Sequence, residues 1–162
     1  MPNMGNVFRD RVAEYIRSWG EPLEVLLEVN VGSRFVGTPR KLDIVIRNTQ
    51  NNRTMAIECK VQLTSGSAYE KFSYALDDCL ASPIPTILVF AGGFIREDMK
   101  SKLIMSGCGL EVIFNADENG GVTEFSDPNN LLRQRCYIEL GLNWFPFATG
   151  DRIAAQLEDL GY

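Results

Sequence analysis

Apolar residues along the first twenty positions recur at helical spacing. Phe8, Val12, Tyr15, Ile16 and Trp19 make one stripe, with Asp10, Glu14 and Arg17 on the opposite face. This predicts a helix over Asn6–Ser18, ended by Gly20 and Pro22. The period then drops to two. Leu23, Val25, Leu27, Val29 and Val31 alternate with Glu24, Leu26, Glu28 and Asn30, the pattern of a half-buried strand. Gly32 to Pro39 reads as a loop. Lys41–Arg47 (KLDIVIR) and Thr54–Gln62 (TMAIECKVQ) read as two strands around the turn-rich stretch Asn48–Arg53, hence a β-hairpin. After Thr64–Ser67 a helix is expected from about Ala68 to Leu80, with Phe72, Leu76 and Leu80 sharing a face with Tyr69 and Cys79.

Ser82-Pro-Ile-Pro85 breaks that helix. Thr86–Phe90 (TILVF) is a continuous apolar run and suits a strand covered on both faces. Gly92-Gly93 reads as a strand-to-helix turn, followed by a helix over Arg96–Ser106 and a strand over Leu110–Asn115. Val122–Phe125 is placed to pair back across the turn Asp117–Gly121. Asp127-Pro128 opens a helix running to about Leu140. An aromatic loop holding Trp144, Phe145 and Phe147 follows over Gly141–Gly150, and then a last helix over Asp151–Leu160. The aromatic loop reads first as packing against the core, with stacking on bases or a partner surface as the alternatives. The order implies a single α/β domain with a mixed β-sheet flanked by helices.

Composition narrows the chemistry. The 162 residues include no histidine. Nucleophilic sites that need an imidazole base, and histidine-ligated zinc, are therefore excluded. Carboxylate, lysine, tyrosine, cysteine and bound metal remain. The four cysteines, Cys59, Cys79, Cys108 and Cys136, form no CxxC pair and read as reduced structural thiols. The start, MPNMGNVFRDRV, lacks the pattern of a signal peptide, and no stretch is apolar enough to span a bilayer. A cytoplasmic location without membrane contact is the expectation.

Asp43 interrupts an otherwise apolar strand with a carboxylate. Glu58 and Lys60 stand two apart on one face of the next strand. If Asn48 pairs with Arg53, then Asp43 lies opposite Glu58, with Cβ atoms about 4.5–5.5 Å apart. Two opposed carboxylates repel unless a cation joins them. A divalent metal such as Mg²⁺, which keeps several waters and takes phosphate oxygens, fits that need. Lys60 shares the face and could hold an attacking water or neutralise charge building on phosphorus. Gln62 comes next along it.

LDIVI (Leu42–Ile46) and IECK (Ile57–Lys60), with fourteen residues between Asp43 and Glu58, resemble the D-x(n)-E-x-K signature of the PD-(D/E)XK nuclease superfamily. The surrounding order is similar too: helix, strand, hairpin carrying the motif, crossover helix, apolar strand. The similarity covers a motif core of about residues 8–90 within one domain over 1–162. A helical and aromatic extension occupies about 127–162. The resemblance implies a restriction endonuclease-like fold and a metal-dependent DNA endonuclease. Asp43 and Glu58 would ligate Mg²⁺, for which Mn²⁺ substitutes, and Lys60 and Gln62 would complete the catalytic set. Leu42 stands where many members carry Pro. Some members add a first-helix Glu as a metal ligand. Here Asp10 and Glu14 lie away from the apolar stripe, so that ligand is unassigned and the number of ions, one or two, stays open.

Charge bears on the partner. The net charge is −5, yet residues 34–71 hold seven basic residues against three acidic ones, a local +4. Arg34, Arg40, Lys41 and Lys71 are the expected DNA contacts, a local phosphate track on an acidic protein. A chain this short suits a homodimer, or the cleavage subunit of a heterodimeric restriction enzyme whose partner recognises DNA. Repair or junction-resolving roles in a phage or mobile element stay open. The alternative is a non-catalytic DNA-binding or assembly module that keeps the fold.

Overall fold

The computed structural model describes residues 2–33, 37–66, 69–147 and 161. Arg34 and the expected last helix over 151–160 lie outside the described residues. Helix α1 (Met4–Arg17) begins earlier than the periodicity suggests because Asn3 caps it, its side chain accepting the Asn6 N–H at 3.2 Å. Strands β1 (Leu23–Ser33), β2 (Pro39–Asn48) and β3 (Thr54–Val61) follow. Next come helix α2 (Tyr69–Leu80), strand β4 (Thr86–Ala91), helix α3 (Glu97–Met105) and strand β5 (Gly109–Glu111). Strands β6 (Ile113–Ala116) and β7 (Val122–Ser126), a 3-10 turn (Pro128–Asn130) and helix α4 (Leu131–Leu140) complete the described elements.

The sheet runs β1-β2-β3-β4-β5. Its first three strands are antiparallel neighbours, while β3, β4 and β5 run parallel. It is therefore mixed, as expected. The hairpin register is the one the turn implies: the Asn48 N–H donates to the Arg53 carbonyl at 2.8 Å, and Ile44 faces Ile57. Helices α1 and α4 cover one face. Phe8, Val12 and Ile16 of α1 and Leu132, Cys136 and Leu140 of α4 pack there on Ile44, Ile46, Ile57 and Val89. Helices α2 and α3 cover the other, with Phe72, Leu76, Met99 and Leu103 on Leu88 and Phe90. Strand β4 thus supplies both faces and all six of its residues are buried. Burying the core side chains stabilises the fold by about 1.5–3 kcal/mol each before entropy is set against it.

Several expectations change. Strand β1 continues to Ser33, but its alternation is broken. Glu28 has φ 55°, so Leu23, Val25 and Leu27 join the α1 core whereas Val29 and Val31 pack with Leu42 in a separate cluster. The apolar run Leu110–Asn115 is two strands. Val112 donates its N–H to the Phe90 carbonyl, and beyond it the chain leaves the main sheet to pair with β7. Leu80 is 59% exposed because α2 ends there. Asp127 does cap α4, across the turn: its carboxylate accepts the N–H groups of Leu132 and Arg133 and the Tyr15 hydroxyl. In the aromatic loop Phe147 packs on the core beside Tyr137, whereas Trp144 and Phe145 are exposed. The four thiols are free, and three are buried. No helix among the described residues is long and apolar enough to cross a membrane.

Gly92 ends β4 with φ 123°, and a Cβ there would run into the backbone of Gln62 at the end of β3. At Gly93 a Cβ meets nothing within 4 Å. Gly92→Ala is expected to lower the unfolding free energy by about 2–4 kcal/mol, and Gly93→Ala by less than about 1 kcal/mol. Urea denaturation compares the two.

Candidate active site

Strands β2 and β3 separate just before Asp43 and Glu58 would pair; their ladder ends at Ile44–Ile57. Side chains take over from the backbone at that point. The Asp43 N–H donates to Oε1 of Glu58 at 3.0 Å, and the Cys59 N–H donates to Oδ2 of Asp43 at 2.8 Å. Each carboxylate thereby satisfies a backbone donor of the opposite strand. Glu58 is 8% exposed. Burial, and then the charge of Asp43, push its carboxyl up to about 7, against the opposing pull of the Asp43 N–H and Lys60.

Each carboxylate keeps a second oxygen, Oδ1 of Asp43 and Oε2 of Glu58, that takes no backbone N–H, and the two side chains lie close enough to share a proton. A pair of close, mutually repelling hard-oxygen donors fits a divalent cation that takes its remaining ligands from water and substrate. Among the described residues no group of three or more acidic, histidine or cysteine side chains offers a larger donor set.

Two cavities meet at this point. One, of about 220 Å³, is lined by Asp43, Cys59, Lys60 and Lys71 together with Asn3, Asn6 and Arg9 of the α1 end. The other, of about 240 Å³, is lined by Glu58, Lys60 and Lys71 with Tyr74 and Asp78 of α2. Lys60 and Lys71 belong to both walls. The Lys71 amine is held below the ordinary lysine value, first by partial burial and then by the charge of Lys60. Burial likewise pushes the Cys59 thiol up, so it stays protonated and unreactive.

The structure thus gathers Asp43, Glu58, Lys60 and Lys71. It sets other expected residues apart. Gln62 lines neither cavity, and its side-chain amide donates to the Thr64 carbonyl at 2.8 Å because the chain turns away after Val61. Arg40 is only 7% exposed and donates to the Asp78 carbonyl at 2.7 Å, tying β2 to the end of α2. Lys41 is exposed beside Glu28, 3.7 Å away. Glu14 and Asp10 are exposed on α1 and line neither cavity. Arg9 does, although sequence reasoning passed over it. Its signal was present: it lies three and four residues before Val12 and Ala13, both fully buried, so it shares the inward face of α1.

Residues 3–106 match the family model described as a PD-(D/E)XK nuclease superfamily domain, which spans most of the chain and includes Asp43, Glu58 and Lys60. The chain belongs to this superfamily. As a superfamily member its sheet and flanking helices are the restriction endonuclease-like α/β fold. No curated protein matches the sequence. Among solved structures it is similar to the crystal structure of a protein of unknown function, AF1548, at 17% identity and a TM-score of 0.49. That similarity covers 74% of this chain and 62% of the other.

The raised Glu58 value has a consequence for stability. The folded protein holds this proton more tightly than the unfolded chain, whose glutamate titrates near 4.5. Metal-free protein is therefore expected to lose roughly 3 kcal/mol of stability as pH rises from about 4.5 to about 7. Glu58→Gln should flatten that dependence. Denaturant midpoints of both proteins across this pH window, in chelator, test it.

Proposed function

We propose that the protein is a metal-dependent endonuclease that hydrolyses DNA phosphodiester bonds. The observation that carries this reading is the reciprocal bonding of Asp43 and Glu58 beside Lys60. A sheet without catalytic duties has no need to replace two ladder bonds with one buried and one half-buried carboxylate that repel each other. Asp43 and Glu58 would hold the ion, which when bound supplies Lewis-acid polarisation of a phosphate and a lowered pKa for water.

The protein's own groups do the rest. Glu58 and Asp43 are oriented by backbone N–H groups, so their remaining oxygens need little reorganisation to take up a cation. The Lys60 ammonium, on the wall of both cavities, orients the attacking water and offsets charge building on the phosphoryl oxygens. Lys71 adds a second positive charge on the same wall, where the flanking backbone of the substrate would lie. Lys41 extends the positive edge along β2. The acidic remainder of the surface limits DNA contact to this edge. A homodimer, or a partner that reads sequence, would supply what so small a basic footprint lacks.

Supercoiled plasmid has no ends, so nicking it separates endonuclease from exonuclease action. With Mg²⁺ or Mn²⁺ the wild type is expected to nick it. Asp43→Ala and Lys60→Ala should each slow nicking by at least about 100-fold. Equal rates in wild type and variants would overturn the assignment.

A further inference from the structure

We propose that this site takes a single divalent cation, because the α1-side cavity offers a second ion one carboxylate, Asp43, and a wall of cationic side chains that includes Arg9. The inference rests on the nuclease reading above and specifies its metal chemistry. Among the described residues Asp43 is the one carboxylate on the α1-side cavity, and it faces three cationic side chains there: Arg9, Lys60 and Lys71. A second divalent ion in that space would find one carboxylate donor, Asp43, among Lys60, Lys71 and an Arg9 guanidinium whose charge is shared with Asp10 and Glu28. On the α2 side Glu58 and Asp78 stand with the same two lysines.

Arg9 is held firmly in place. Its guanidinium donates to Asp10 at 2.8 Å and to Glu28 at 2.9 Å, and its side chain is 12% exposed. Both partners sit outside the cavity, with exposed carboxylates, so they orient the arginine without lining the site. Their hydrogen bonds and charges outweigh the burial that opposes ionisation, so Arg9 carries its charge throughout the working pH range. The φ of 55° at Glu28, in the middle of β1, belongs to the same arrangement. It occurs where that strand is bonded to Arg9 and where the β1–β2 pairing passes from Leu27–Ile44 to Val29–Leu42. Next to a phosphate, the guanidinium and the two lysines do the neutralising that a second ion would otherwise do.

The test is the stoichiometry of Mn²⁺ binding, read from the free-ion electron paramagnetic resonance signal during titration of the full chain. The wild type is expected to bind one Mn²⁺. Arg9→Gln should keep one site and tighten it by roughly threefold to tenfold, the scale of removing one nearby unit charge in a wet site. Arg9→Glu, with folding checked by circular dichroism, should bind two. If Arg9→Glu fails to fold, the Arg9→Gln affinity carries the test. Two ions on the wild type, or an unchanged affinity in Arg9→Gln, would overturn this inference while leaving the nuclease reading intact. No Mn²⁺ bound by the wild type would overturn both.

Discussion

Everything at this site depends on an exchange of hydrogen bonds where β2 and β3 diverge. A two-stranded ladder that simply continued would leave Asp43 and Glu58 as opposed surface carboxylates, free to turn away from each other. Instead each accepts the backbone N–H that the widening strands no longer satisfy. Backbone donors near the core cannot go unpaired without a cost of about 1–3 kcal/mol each, so the need of the main chain fixes the carboxylates. Their charges then oppose one another at close range, which is why burial and Asp43 together lift Glu58 to about 7. The fold holds two repelling groups in place because releasing them would strand two amides.

That tension sets the character of the surroundings. Lys60, two residues after Glu58, and Lys71, near the start of α2, come to the same wall because β3 and α2 both end or begin at this edge of the sheet. Arg9 arrives from α1, whose buried face rests on the same β3 strand through Cys59 and Val61. Three elements that pack for ordinary hydrophobic reasons thereby deliver cations to one carboxylate pair. Strand β4, buried on both faces, supports β3 from the other side.

Much of this is legible in the sequence. The register of the hairpin follows from a turn of four residues and agrees with the observed pairing. The motif Asp43, Glu58 and Lys60 follows from a carboxylate breaking an apolar strand. Other readings miss for definable reasons. Arg40 looks like a phosphate contact by composition, but its neighbour in space is the Asp78 carbonyl. Gln62 stands in phase with Glu58 and Lys60 only while the strand lasts, and it ends at Val61. Leu110–Asn115 reads as one strand because local hydrophobicity carries no information about which of two sheets a residue joins.

The sequence by itself determined the elements, the hairpin and the identity of the carboxylates and lysine, because helical period, strand alternation and turn chemistry are local properties. Only the tertiary structure decided that Asp43 and Glu58 hold one another through the backbone, and that α1 contributes a cation rather than an acid. Those outcomes depend on where two strands separate and which helix face meets them, distances set by packing between residues far apart in the chain.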